Sequence, residues 1–156
     1  MGAANSTRVL LGSGGIATED RRATYRSLVA AHFKDCEKIL FIPFASDDHP
    51  GYTSRMNDFM GPNGPSLLGI HTFQDEISAV NEAEGIYVGG GNSFLLIRDL
   101  HERGLIGPIR ESCLGGVPYM GVSAGSNVAC PTMMTTNDMP IVLPPSFESF
   151  GIVPFQ

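Results

Sequence analysis

Val117-Pro118-Tyr119-Met120-Gly121-Val122-Ser123-Ala124-Gly125-Ser126-Asn127-Val128-Ala129 runs from an apolar, strand-like stretch through a glycine-flanked turn into small residues that suit a helix start. The five residues at its centre, Gly121 to Gly125, fit the setting of a nucleophile elbow. Glycines two places on either side of Ser123 let the strand and helix backbones approach closely. The chain then reverses sharply and presents the serine hydroxyl at the carboxyl edge of a sheet. A side chain held there is placed to attack a carbonyl.

Working outward from this turn, short apolar runs bounded by Gly and Pro alternate with amphipathic stretches, the pattern of a parallel α/β sheet. Strands are expected at 9–11, 39–42, 67–70, 86–88 and 117–122. Helices are expected at 21–33, 52–60, 75–82, 94–103, 107–114 and 124–129, with Asn92 or Ser93 capping the fourth. After Cys130-Pro131 the texture turns to loop chemistry, and residues 151–156 read as a strand cut off as it starts. No repeat or linker divides the chain, so 1–156 is read as a single domain. Residues 1–6 match the myristoylation pattern formally but lack a polybasic second signal, and are read as a disordered lead-in.

A net charge of −6 with only 10 scattered basic residues argues against nucleic acid as a partner. No apolar run has the roughly 18 residues of a membrane span, and no secretory signal opens the chain. Cys36, Cys113 and Cys130 show no paired metal or redox spacing, which fits free thiols in a reducing compartment and no metal. The expected location is the cytoplasm, with no cofactor.

In open α/β sheets ligands bind outside the carboxyl ends of the strands, where the loop at Gly12 to Gly15, the loop at Gly89 to Ser93 and the turn at Ser123 should meet. Gly89-Gly90-Gly91 leaves a buried strand and enters a helix, so its N–H groups face the site without side chains in the way. Paired with the N–H of Ala124, the N–H of Gly91, or else Gly90, makes the two-donor hole that a tetrahedral intermediate needs. Asn92 in the same loop is assigned to substrate binding. Gly12-Ser13-Gly14-Gly15-Ile16-Ala17 has the outline of a dinucleotide fingerprint but lacks the acidic residue after the second strand, and is read as a plain turn.

A serine nucleophile needs a base, usually a histidine. His32 belongs to the opposite edge of the sheet. His101 lies about 12 Å along its helix from the active edge. His49 sits in an ordinary polar turn, His71 ends an expected outer strand and is read as structural, and no histidine follows Ser123. Asp138 and Glu148 therefore have no imidazole to orient.

Phe41-Ile42-Pro43-Phe44-Ala45, Gly69-Ile70-His71, Val88-Gly89-Gly90-Gly91-Asn92-Ser93-Phe94, Arg103-Gly104-Leu105, residues 121–132 and Thr135-Thr136-Asn137-Asp138-Met139-Pro140-Ile141-Val142 together resemble the peptidase E family of serine α-aspartyl dipeptidases. The fold of that family is similar to the class I glutamine amidotransferases. The resemblance implies an α/β three-layer sandwich with a mostly parallel central sheet, and hydrolysis of Asp-Xaa dipeptides having a free N-terminal aspartate. It gives Ser123 as nucleophile and the amides of Gly91 and Ala124 as oxyanion hole, with no metal. It also places the family's catalytic histidine, its acidic partner and the aspartate-reading arginine beyond the segment matching 152–156. The chain is accordingly expected to be the N-terminal two-thirds of the family's catalytic domain, C-terminally incomplete, with the missing C-terminal segment as its partner. The competing expectation is a non-catalytic fragment or pseudoenzyme that acts as a small-molecule binding or interaction module.

Overall fold

The computed structural model describes residues 6–156. The disordered lead-in expected at 1–6 lies outside the described residues except for Ser6, which is exposed and without regular structure. Five strands, β1 (Val9–Gly12), β2 (Ile39–Ile42), β3 (Leu67–Gly69), β4 (Gly85–Val88) and β5 (Tyr119–Val122), form one sheet in the order β1-β5-β4-β2-β3. Every pairing is parallel, with Val9 opposite Tyr119, Ile86 opposite Tyr119 and Ile39 opposite Gly85.

Side chains of a strand alternate between faces, so these all-apolar strands feed two cores. Leu40, Ile42, Ile86, Val88 and Tyr119 pack on one face against α3 (Glu76–Glu82), α4 (Ser93–Glu102), α5 (Ile106–Leu114) and the short α6 (Ala124–Asn127). Ile39, Phe41, Tyr87 and Met120 pack on the other against α1 (Glu19–His32) and α2 (His49–Met60). The result is the three-layer α/β arrangement, with the sheet wholly parallel among the described strands. No helix among the described residues is long and apolar enough to cross a membrane.

Several element boundaries differ from the sequence expectation, among them the start of α1 at Glu19, the start of β5 at Tyr119 and the end of α6 at Asn127, and two have clear local reasons. The second helix starts at His49 because the Asp48 carboxylate accepts from the Gly51 N–H at 3.0 Å and Pro50 occupies its first turn. The third strand stops at Gly69, and Ile70–Thr72 turns into a 3₁₀ segment. A larger correction concerns residues 151–156, which form no strand. The N–H groups of Phe150, Gly151, Ile152 and Val153 donate to the carbonyls of Val128, Cys130, Ala129 and Ala129. This segment thus closes on the exit of α6, and Ile152 and Val153 are buried in the α3–α6 core.

Candidate active site

Ser123 sits between β5 and α6 with φ 53° and ψ −110°, the sole non-glycine residue at positive φ among the described residues. That conformation is strained for an L-residue and persists only where the surroundings enforce it. The Ser123 N–H donates to the Gly12 carbonyl at 2.9 Å, and its carbonyl accepts from Ser126 and Asn127. The Ser126 hydroxyl bonds Gly12 O at 2.7 Å and Gly121 O at 2.9 Å, tying the turn to both strands below it. A Cβ on Gly121 would lie 2.3 Å from the Gly125 carbonyl oxygen, and one on Gly125 would lie 2.2 Å from Val88 O. Both flanking glycines are needed for this close crossing of strand and helix. The serine itself is exposed.

The glycine loop lies directly beside it. A Cβ on Gly90 would come within 3.1 Å of Ser123 Cβ. Gly91 is exposed, holds φ 135°, and has its Cβ position 2.3 Å from the Ala45 carbonyl oxygen, so no other residue fits there without moving backbone. The Gly90 N–H is turned toward the Tyr52 hydroxyl. Gly91 N–H has no acceptor among the described residues. Ala124 opens α6, so its N–H precedes any intrahelical acceptor.

Asn92 is placed as the cap of α4. Its Oδ1 accepts from Phe94 N and Leu95 N at 3.0 and 3.2 Å, and its Nδ2 donates to Met139 O at 2.9 Å. Asp138 joins the same cap, accepting from the Ser93 N–H at 2.8 Å and from the buried Ser93 hydroxyl. Burial pushes the Asp138 carboxyl up, but the Ser93 and Thr136 hydrogen bonds outweigh it and hold the group below the usual carboxylate value. Asn92 and Asp138 thus bind the 133–140 segment to the helix start rather than standing free in the site.

Between the first loop, α1, α2 and the turn lies a cavity of about 230 Å³ whose wall includes Ser13, Gly14, Gly90 and Ser123. The three loops therefore share one opening. Tyr25, Tyr52 and Tyr87 line it, with the Tyr25 and Tyr87 hydroxyls 2.6 Å apart. Burial raises the pKa of all three. Sequence reasoning missed this cavity, because its residues come from two helices and three strand ends with no common spacing.

None of the four histidines hydrogen-bonds Ser123. His101 Nε2 donates to Glu148 O at 2.8 Å, and His32 Nε2 donates to Tyr119 O at 2.9 Å from the opposite edge. His49 leaves β2, which is separated from β5 by β4, a lateral offset of about 10 Å at ordinary strand spacing. Its ring packs on Phe44 and lies 6.1 Å from His71, an adjacency the sequence did not suggest. Arg55 pairs with Asp48 and Arg98 with Asp99. Among the described residues no cluster of three His, Cys, Asp or Glu is placed to hold a metal.

The model of peptidase family S51 matches residues 9–156. A Drosophila melanogaster protein named probable alpha-aspartyl dipeptidase is 50% identical over 119 residues, covering 76% of this chain and 50% of its own. Peptidase E of Streptomyces coelicolor is 46% identical over 119 residues, covering 76% and 49%. The chain spans about half the length of these curated relatives. A Listeria monocytogenes EGD-e structure assigned to peptidase E superposes with a TM-score of 0.68 at 23% identity, covering 94% of this chain and 75% of that one. A peptidase from an acI-B1 actinobacterium gives 0.62 at 20%, covering 96% and 66%. Likeness at that level bears on the fold alone, whereas the family match takes in the elbow and the glycine loop together, and the chain belongs to peptidase family S51.

Proposed function

We propose that this chain carries the nucleophile and oxyanion hole of a serine dipeptidase that hydrolyses Asp-Xaa dipeptides through an acyl-enzyme. The observation that carries the reading is the strained, exposed Ser123 turn standing against Gly90 at the mouth of a cavity. Strain of this kind costs of order 1–3 kcal/mol and collects at sites where chemistry needs a side chain pushed forward.

In the proposed reaction Ser123 Oγ bonds to the scissile carbonyl carbon while its proton passes to a base. The oxyanion is received by the N–H groups of Gly91 and Ala124, with Gly91 preferred over Gly90 because the Gly90 amide is turned toward the Tyr52 hydroxyl. The carbonyl–nitrogen bond then breaks, the leaving amine takes the proton, and water hydrolyses the ester. The base is a histidine supplied from outside residues 1–156, since none of the four described histidines hydrogen-bonds Ser123: His32 and His101 bond the carbonyls of Tyr119 and Glu148, and His49 and His71 lie side by side near Phe44. Asn92 contributes at the substrate side by fixing the start of α4 next to the glycine loop, its side chain bonding the Phe94 and Leu95 amides and Met139 O.

Labelling with a fluorophosphonate probe tests the assignment. Modification of Ser123 in the full-length protein, abolished by Ser123→Ala and accompanied by turnover of Asp-Leu, is expected. Labelling that survives Ser123→Ala would remove the serine from the mechanism. The reading as a binding or interaction module is favoured by one observation, the lack of a described histidine near Ser123, and it requires the isolated chain to fold yet leave Asp-Leu intact.

A further inference from the structure

We infer that the tyrosine-lined cavity beside Ser123 is the subsite for the leaving residue, and that it selects an uncharged, apolar side chain there. The inference rests on the dipeptidase reading above and adds to it which half of the substrate the cavity receives.

A dipeptide with a free amino terminus brings an ammonium, an aspartate carboxylate, a terminal carboxylate and one variable side chain. No Asp, Glu, Lys, Arg or His lines the cavity. Its only polar side-chain groups are neutral hydroxyls, with those of Tyr25 and Tyr87 bonded to each other and that of Tyr52 turned toward the Gly90 amide. The guanidiniums that touch its rings, Arg26 over Phe59 and Arg55 over Tyr52, are held in ion pairs with Glu19 and Asp48. A charged group placed inside would exchange full hydration for neutral hydroxyls with no free counter-charge, a penalty that disfavours it strongly. The remaining wall of Ile16, Met56 and Phe59 complements a hydrocarbon group. Of the four substrate groups, the variable side chain alone meets that description. Met56, unbranched and adaptable, suits a pocket that accepts several apolar shapes.

Three of the four tyrosines in residues 1–156 line this cavity, and peptide binding is read on the full-length protein by calorimetry. The Ser123→Ala form, which cannot turn substrate over, is titrated with Asp-Gly, Asp-Ala, Asp-Val, Asp-Leu and Asp-Asp, and in parallel with Ala-Gly and Ala-Leu. Affinity should climb with apolar size, with Asp-Leu about tenfold or more tighter than Asp-Gly. Asp-Asp should bind no better than Asp-Gly. Met56→Gln and the surface-loop variant Ile16→Ser should each shrink the leucine-over-glycine ratio, with thermal melts showing that both remain folded. Equal affinities across the series, or tighter binding of Asp-Asp, would overturn the subsite, as would absence of binding by every peptide. A leucine-over-glycine preference equal in the Asp and Ala series supports the subsite while counting against aspartate selectivity, so the two readings fail separately.

Discussion

The fully buried Tyr119 hydroxyl donates to the Gly125 carbonyl at 2.6 Å, linking the strand before Ser123 to the helix after it. Removing it leaves a buried carbonyl without its partner. Tyr119→Phe is expected to cost about 1–3 kcal/mol in urea unfolding and to slow probe labelling of Ser123. An unchanged midpoint would show that the turn does not depend on this bond.

Relief of backbone strain should appear as a gain in stability. Ser123→Gly, which adopts φ 53° freely, is expected to raise stability by about 1 kcal/mol and Tm by roughly 2–4 °C while abolishing acylation. Ser123→Ala keeps the strain and should melt like the parent. Identical Tm values for the Gly and Ala forms would contradict this.

Two glycine-to-alanine changes should move in opposite directions. Gly125→Ala drives a methyl to 2.2 Å from Val88 O, and a loss of about 2 kcal/mol or more is expected. Gly107→Ala, in α5 with nothing within 4 Å, should gain about 0.5–1 kcal/mol. Denaturant midpoints decide both.

Stability should fall on acidification in two stages. Burial holds the His32 and His71 imidazoles below their ordinary value near 6.5, so the unfolded chain binds protons there that the folded chain refuses. Their contribution is present above about pH 6.5 and is lost as pH falls through their lower folded values. Amide hydrogen bonds depress the Asp75 and Glu84 carboxyls, and the Ser93 and Thr136 bonds do the same for Asp138 against burial. Their contribution vanishes at still lower pH. Thermal melts should show a plateau above pH 7 and two descending steps, with the upper one reduced in His32→Gln.

Thiol chemistry should single out Cys36. Burial pushes the Cys113 thiol up to about 12 and raises Cys130, and both are buried. Cys36 is half-buried, and its thiol is also raised. Native alkylation at pH 8 is expected to be slow and confined to Cys36, with all three thiols reacting after unfolding.

What the sequence disclosed was local. The β2 strand at 39–42 and the Ser123 turn were legible because an apolar run and a glycine spacing are written in adjacent residues. The early start of α2 depended on the Asp48 cap, and the end of β3 at Gly69 on room for the His71 ring, with a Cβ there lying 2.4 Å from His71 Cε1. Residues 151–156 were read as a strand because Ile152 and Val153 are apolar and β-branched, yet their amides satisfy the carbonyls at the end of α6. The tyrosine cavity, the His49–His71 contact and the strand order depend on which distant segments meet, and no periodicity encodes that.

The position of β5 between β1 and β4 bears on synthesis as well as on chemistry. Val9 pairs with Tyr119, so β1 has no lateral neighbour until almost the whole of this stretch has left the ribosome. A nascent chain paused before Val117 exposes two unfilled edges, each able to recruit a strand from another copy. Ser123 is therefore put in place by the same insertion of β5 that closes the sheet, so sheet closure and formation of the turn are one folding event.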